Sequence, residues 1–168
     1  MVIYIGSDHR GFRIKEHLKT ILKDRGYSVY DVGNEKYNES DDYPDFAKKV
    51  GERVSVDFER SKGILICGSG VGVDVVANKY PNVRSALVST PDQAFDSRTD
   101  DDTNVLAFGA NYVDEERAEK IVFTWLQTPF SGENRHVRRI RKIQQVEAEI
   151  LNSQATKFDI HNDNNTSY

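Results

Sequence analysis

Two hydrophobic patterns take turns along the chain. Short strand-like runs occur over residues 2–7, 27–32, 63–67, 84–89 and 104–109. The run at residues 63–67 is continuously apolar, which is typical of a strand buried on both faces of a parallel sheet. Between these runs, apolar residues recur at the three- to four-residue spacing of helices that bury one face. This alternation predicts an α/β domain with a five-stranded parallel sheet and right-handed crossovers.

Glycine and proline mark where the predicted helices start and stop. Gly26 follows the apolar repeat of residues 12–22, and glycine commonly ends a helix because it tolerates the left-handed conformation. Pro44 and Pro91 are predicted to lie in first helical turns, where the missing N–H group has no intrahelical acceptor to lose. Helices are therefore expected to begin near both prolines.

The C-terminal part of the chain changes in character. A long helix is predicted over residues 133–151. Residues 152–168 are polar and poor in core-forming side chains, which predicts either a disordered tail or a segment ordered only by a partner. We therefore expect one domain over residues 1–151, followed by a polar tail over residues 152–168.

Composition excludes several classes of function. The net charge of −4 lacks the basic bias of nucleic-acid-binding proteins, and no apolar run approaches the roughly 20 residues of a membrane span. Neither a nucleic acid nor a membrane is an expected partner. The N-terminus does not have the pattern of a signal peptide. A single cysteine excludes an internal disulfide and a multi-cysteine metal site, and a lone thiol favours a cytoplasmic location.

Candidate chemistry collects where the predicted strands end, because open parallel sheets bind ligands at the carboxyl ends of their strands. Cys67 ends one strand and precedes a helix, whose unpaired N–H groups and positive dipole end favour a thiolate. A thiolate can act as a nucleophile or as a base. The alternative is a small buried hydrophobe, as most free cysteines are. The adjoining glycines favour the functional interpretation.

Those glycines form the loop Gly68-Ser69-Gly70-Val71-Gly72. Its backbone N–H groups can hold a phosphate or stabilise an oxyanion. The loop lacks the Gly-Lys-Ser/Thr ending of a P-loop, and it does not follow the first strand as a dinucleotide fingerprint does. The alternative is a tight strand-to-helix turn without a ligand.

Two further clusters carry polar chemistry. Asp8 and His9 follow the first strand, where they can polarise a hydroxyl or transfer a proton, although Asp8 can also simply cap the first helix. Arg135 and Arg139 are four residues apart and share one helix face, which can clamp a phosphate. The alternative for these arginines is a solvated charged face.

Six stretches of the chain occur together in one order and spacing. They are Gly6 to Phe12, Asp42 to Asp45, Gly63 to Gly72, Ala77 to Lys79, Asn104 to Gly109 and Arg135 to Arg139. In this order and spacing they resemble the ribose-5-phosphate isomerase B family, which also includes galactose-6-phosphate isomerase subunits. The resemblance covers about residues 1–150.

The resemblance implies a Rossmann-like three-layer α/β/α sandwich that forms a homodimer with each active site between two subunits. In some family members such dimers pair further into a tetramer. It implies no metal and no cofactor. The implied substrate is a small sugar phosphate, and the reaction interconverts ribose 5-phosphate and ribulose 5-phosphate, or a related pair, through a cis-enediolate.

The resemblance also implies roles for individual residues. Cys67 moves the proton between neighbouring carbons. The Ser69 hydroxyl and the backbone N–H groups of residues 68–72 stabilise the enediolate. The remaining implied contacts are those of Asp8 and Tyr43 with sugar hydroxyls and those of His9, Arg135 and Arg139 with phosphate.

Three site positions depart from the family pattern. Asp100 stands where the family usually has the histidine of ring opening, Asp101 stands where it has an asparagine, and Asn111 stands where it often has an arginine near the phosphate. Asp100 can replace the histidine as the acid–base group. Alternatively, the substrate is another sugar phosphate or a non-phosphorylated sugar, or the chain is a non-catalytic sugar- or nucleotide-binding module.

Overall fold

The structure, a computed structural model, describes residues 1–163, with side chains through residue 153. The strands are β1 (Val2–Ser7), β2 (Ser28–Asp31), β3 (Ser61–Cys67), β4 (Ser85–Leu87) and β5 (Val105–Gly109). The helices are α1 (Phe12–Asp24), α2 (Tyr43–Val56), α3 (Val71–Ala77), α4 (Pro91–Asp101), α5 (Glu115–Gln127) and α6 (Asn134–Asp163). Strands and helices alternate as the hydrophobic pattern predicts.

All five strands pair in parallel, in the order β2-β1-β3-β5-β4. Ser7 of β1 is in register with Ile66 of β3, and Cys67 of β3 is in register with Gly109 of β5. The carboxyl ends of β1, β3 and β5 therefore meet at one edge of the sheet, which we call the carboxyl edge.

Two apolar layers cover the two faces of the sheet, so the fold is the three-layer sandwich that the resemblance implied. Successive strand residues point to opposite faces, and β3 therefore serves both layers. Ile64 and Ile66 pack into a cluster that includes residues of α1, α4 and α5. Leu65 and Cys67 pack into a second cluster that includes residues of α2 and α3. Residues 63–67 of β3 are consequently buried, as their apolar run predicted, whereas Lys62 is half-buried.

The described part of the chain divides into two compact units, one over residues 1–131 and one that begins at residue 132. The second unit contains α6, which continues to Asp163, and the prediction that this helix ends near residue 151 is wrong. An α-helix makes its backbone hydrogen bonds locally, so a lack of core-forming side chains does not end it. Much of the predicted polar tail over residues 152–168 is therefore helical, and residues 164–168 lie outside the described part of the chain. None of the helices through Asp163 is long and apolar enough to span a membrane.

Candidate active site

Three turns meet at the carboxyl edge, one after each of β1, β3 and β5. Two hydrogen bonds join the turns that follow β3 and β5. The Ala110 N–H donates to the Cys67 carbonyl over 2.9 Å, and the Asn111 N–H donates to the Gly68 carbonyl over 3.0 Å. The predicted glycine loop after Cys67 is thus held by hydrogen bonds against the turn that follows Gly109.

Cys67 is buried, as expected of a small hydrophobic residue, and its sulfur also accepts a hydrogen bond, as expected of a functional thiol. The residue is 4% exposed and packs within the apolar cluster under α2 and α3. Its sulfur also accepts a hydrogen bond from the Gly70 backbone N–H over 3.1 Å. A donor directed at the sulfur stabilises negative charge there. The buried end of β3 therefore presents a sulfur toward which a backbone N–H is directed.

A pocket of about 470 Å³ opens beside the glycine loop. Ser69, Val71 and Gly109 line it, together with Leu87 and Tyr112 from neighbouring elements. Its volume lies within the roughly 300–1,000 Å³ range of small-molecule sites. The Ser69 hydroxyl oxygen accepts the Val71 N–H over 3.3 Å, so the serine side chain lies within the loop. The pocket gives a small polar ligand room next to Ser69.

Tyr43 joins the glycine loop from the start of α2. A Cβ atom added to Gly72 would lie 2.6 Å from the Tyr43 ring, which shows how closely the ring lies against the loop. Tyr43 itself is 39% exposed, so its ring also faces solvent. The structure therefore brings together Tyr43 and the loop, as the predicted site requires.

Asp8 closes the turn between β1 and α1. Its Oδ1 accepts the Arg10 N–H over 3.0 Å and the Gly11 N–H over 3.1 Å, while the N-cap of α1 is Gly11 itself. Asp8 thus holds the turn before the helix and does not cap the helix directly. Burial raises the pKa of Asp8, although the two N–H donors and the His9 ring act in the opposite direction. The carboxyl consequently retains its proton to a higher pH than an exposed aspartate does.

His9 is oriented by Asp41, which sequence reasoning missed. Asp41 Oδ1 lies 2.8 Å from His9 Nδ1 and accepts the His9 backbone N–H over 2.9 Å, and Asn34 donates to Asp41 Oδ2 over 3.0 Å. Burial opposes the ionisation of Asp41, but these hydrogen bonds outweigh it and hold the pKa of Asp41 below its ordinary value. The only available signal was the position of Asp41 immediately before the stretch from residue 42 to residue 45.

Arg10 was also missed, because it lies inside the Asp8–Gly11 turn without any spacing pattern. Its guanidinium Nη2 donates to Asn111 Oδ1 over 3.0 Å. The amide at position 111, where the family often has an arginine, thus binds an arginine from another turn of the same edge. The contact joins residues 101 positions apart, which no local pattern reveals.

The acidic run at residues 100–102 lies at the opposite edge of the sheet. Asp100 and Asp101 belong to the last turn of α4, and Asp102 is its C-cap. Asp102 adopts the left-handed conformation, and its carboxylate contacts Arg84 over 2.9 Å and Arg98 over 2.6 Å. These ion pairs complete the helix end. The run precedes β5, whereas Cys67 lies beside the end of β5.

Arg135 and Arg139 lie on α6, in the second unit, and both are exposed. The Arg135 Nε pairs with Glu133 over 2.9 Å. Within its own unit this pair of arginines thus has the solvated character that the alternative interpretation described. In the part of the chain with described side chains, no group of three or more His, Cys, Asp or Glu residues could hold a metal ion.

Comparison with known proteins shows the family. The family model described as Ribose/Galactose Isomerase matches residues 3–143. The chain belongs to this isomerase family. A probable ribose-5-phosphate isomerase B from Mycoplasma genitalium is 41% identical over 147 residues, which cover 88% of this chain and 96% of that protein. Ribose-5-phosphate isomerase B from Escherichia coli is 41% identical over 145 residues, covering 86% of this chain and 95% of that protein.

Solved structures of the isomerase family share the fold. The crystal structure of ribose-5-phosphate isomerase B from Mycoplasma genitalium, with bound ribulose-5-phosphate, matches with a TM-score of 0.86 at 40% identity. The match covers 88% of this chain and 97% of that one. Family membership thus confirms the resemblance, and the fold of the isomerase family is the fold of this chain.

Proposed function

We propose that this chain is an aldose–ketose isomerase that interconverts ribose 5-phosphate and ribulose 5-phosphate, with Cys67 as the base that moves the proton. The observation that carries the proposal is the Cys67 sulfur at the carboxyl edge, with the Gly70 N–H directed at it over 3.1 Å. Membership of an isomerase family supports the reaction class. The relative from Mycoplasma genitalium, whose structure contains bound ribulose-5-phosphate, supports the substrate.

The proposed reaction is a proton transfer between neighbouring carbons. The Cys67 thiolate removes the proton from C2 of the open-chain aldose, and the electron pair forms a cis-enediolate. Cys67 then returns the proton to C1, while a proton moves from the C2 oxygen to the C1 oxygen to give the ketose. Negative charge develops on oxygen only as the reaction proceeds, so donors fixed in the glycine loop stabilise the transition state more than the ground state.

The surrounding residues bind and open the sugar. Asp8, whose pKa burial raises, and the phenol of Tyr43 contact sugar hydroxyls at the carboxyl edge. His9, held by Asp41, binds the phosphate. Asp100 acts as the acid–base group of ring opening in place of the family histidine. The competing proposals are a shifted substrate, which is another sugar phosphate or a sugar without phosphate, and a non-catalytic sugar- or nucleotide-binding module.

The proposed enzyme is a homodimer with active sites between its subunits. Asp100 and Asp101 lie at the edge opposite Cys67, so they complete a site only by reaching the Cys67 of a partner subunit. The proposal gives Arg135 and Arg139 the same role toward the partner's phosphate site. Exposed apolar side chains on α3, β4 and α4 support a subunit contact; they are Val71, Val75, Leu87 and Phe95. Pairing of dimers into a tetramer and a cytoplasmic location stay predictions.

Hydrogen exchange at the sugar tests the proposal directly. The purified full chain is incubated with ribose 5-phosphate in deuterium oxide, and NMR follows both ketose formation and deuterium at C1 and C2. We expect both in the wild type and neither with Cys67→Ser, since a positioned base contributes about 10²–10⁴-fold. Ser61→Ala is the matched control, because Ser61 is equally buried at the other end of β3 and should leave the rate unchanged.

The same experiment distinguishes the alternatives. Exchange with another sugar phosphate or a free sugar, but not with ribose 5-phosphate, would replace the proposed substrate and keep the reaction class. Binding of sugar phosphates without any exchange would replace the enzyme with a binding module. Full activity of Cys67→Ser would remove Cys67 from the mechanism.

A further inference from the structure

We infer that Arg10 binds the phosphoryl group of the sugar substrate and that Asn111 holds its guanidinium in position. The inference rests on the proposed function, because it names the residue at the same site that recognises a phosphorylated sugar. The family resemblance implied no role for Arg10, and the structure shows its contact with Asn111.

Arg10 is anchored at its backbone and at its guanidinium. The Arg10 backbone N–H is held by Asp8 Oδ1 over 3.0 Å, and its guanidinium is held by Asn111 Oδ1 over 3.0 Å. Between these two anchors the side chain crosses Gly68, since a Cβ atom added there would lie 2.7 Å from Arg10 Nε and 2.8 Å from Cδ. A side chain at position 68 would displace Arg10 from this path. The guanidinium is thus fixed over the residue that follows Cys67.

The positive charge of Arg10 is not neutralised by a neighbouring carboxylate in the part of the chain with described side chains. Among the residues with described side chains, no carboxylate lies within ion-pair distance of Arg10, whereas Arg13, Arg84 and Arg98 each pair with one. The partner of Arg10 is the neutral amide of Asn111, which orients the guanidinium without cancelling its charge. Arg10 is also exposed, so an anion can reach it from solvent.

The guanidinium of Arg10 has hydrogen-bond donors to spare for a phosphate. A guanidinium carries five N–H donors in a planar fork, and Asn111 occupies one nitrogen of that fork. The remaining donors suit the oxygens of a phosphate, which arginine can bind through two parallel hydrogen bonds. His9, to which the family resemblance gave a phosphate contact, is the preceding residue of the same turn. The geometry therefore places phosphate recognition on the β1–α1 turn.

Steady-state kinetics and phosphate binding test the inference together. Arg10→Ala should raise the KM for ribose 5-phosphate, and the Ki of inorganic phosphate as a competitive inhibitor, by about 10- to 100-fold while kcat changes little. Asn111→Ala should shift both constants in the same direction by a smaller factor, because the guanidinium remains but is no longer held. Arg13→Ala is the matched control, an arginine of the adjacent helix whose ion pair with Glu115 faces solvent, and should change neither constant.

Three outcomes would overturn the inference. They are an unchanged KM and Ki in Arg10→Ala, a loss confined to kcat, and an equal loss in Arg13→Ala. A failure of the proposed function is recognised separately, as a wild type without isomerase activity. In that case calorimetry with inorganic phosphate decides the role of Arg10: weaker binding to Arg10→Ala than to wild type supports it, and equal binding contradicts it.

Discussion

The Gly70 backbone N–H donates a hydrogen bond to the Cys67 sulfur over 3.1 Å. Gly70 can do so because its φ of 82° is left-handed, a conformation that side chains rarely adopt. A Cβ atom at this position would also lie 2.7 Å from the Phe108 carbonyl carbon. The glycine and the cysteine therefore form one unit, in which the bend of the loop directs a donor at the sulfur.

Gly70→Ala should lower both stability and activity. The left-handed conformation costs a non-glycine residue roughly 1–2 kcal/mol, and the steric overlap with β5 adds typically 1–3 kcal/mol. The free energy of unfolding, measured by urea denaturation, should fall accordingly, and kcat should fall because the donor moves away from the sulfur.

Gly26→Ala is the matched control for this substitution. Gly26 has the same φ of 82°, but no atom lies within 4 Å of its added Cβ. The control should lose only the conformational part, roughly 1–2 kcal/mol, and keep full activity. An equal loss of stability in the two variants would contradict the steric argument.

Asp41→Ala should weaken the binding of sugar phosphate. The substitution removes the carboxylate that holds both the ring and the backbone N–H of His9, so the ring becomes free to rotate. We expect the KM for ribose 5-phosphate to rise about tenfold, with a smaller change in kcat. Steady-state kinetics measure both constants.

Asp57→Ala controls for the loss of a carboxylate as such. Asp57 follows α2 and pairs with Arg60 on the surface, away from the carboxyl edge. The control should leave the KM unchanged. A KM that rises equally in both variants would point to a general electrostatic effect in place of His9 positioning.

Asp100→His should raise kcat/KM for ribose 5-phosphate. Ring opening needs a proton to move, and imidazole titrates near neutral pH, where a general acid–base group is most effective. Asp96→His, one turn earlier on the exposed surface of α4, is the control and should give no gain. An Asp100→His variant without a gain would favour a site adapted to another substrate.

Lys62→Met should stabilise the protein in a pH-dependent way. Burial, with smaller contributions from Arg98 and Arg84, lowers the pKa of Lys62 from 10.5 to about 8. Below pH 8 the folded protein carries a charge that burial disfavours, so the methionine variant should be more stable. As pH rises from 8 toward 10.5, the unfolded chain binds the extra proton and the wild type gains stability. The advantage of Lys62→Met should therefore shrink over this interval in urea titrations.

Lys120→Met provides the comparison for that titration. Lys120 is exposed and pairs with Glu116, an interaction that raises the pKa of Lys120. The stability difference between this variant and the wild type should not shrink between pH 8 and 10.5 in the manner expected for Lys62→Met. The same pH course in both variants would contradict the burial argument.

Much of the fold follows from the order of residues along the chain. The apolar run at residues 63–67 predicted β3, and Gly26 predicted the end of α1, because strand burial and helix termination depend on neighbouring residues. The motif around Cys67 likewise predicted that the cysteine and the glycine loop lie at the carboxyl edge, whereas their chemistry stays a prediction. Sequence reasoning did not predict that the acidic run ends α4, since Asp102 ends that helix through ion pairs with both Arg98 of the helix and the distant Arg84.

Sequence alone therefore determined which segments form strands and helices and that the lone cysteine ends a strand just before the glycine loop, because those properties are encoded within a few residues. Only the tertiary structure decided which side chains come into contact at that edge. His9 contacts Asp41, which is 32 positions away in the sequence, and Arg10 donates a hydrogen bond to Asn111, which is 101 positions away. The strand order places these turns side by side. Hydrogen bonds form only between side chains that the strand order brings to hydrogen-bonding distance.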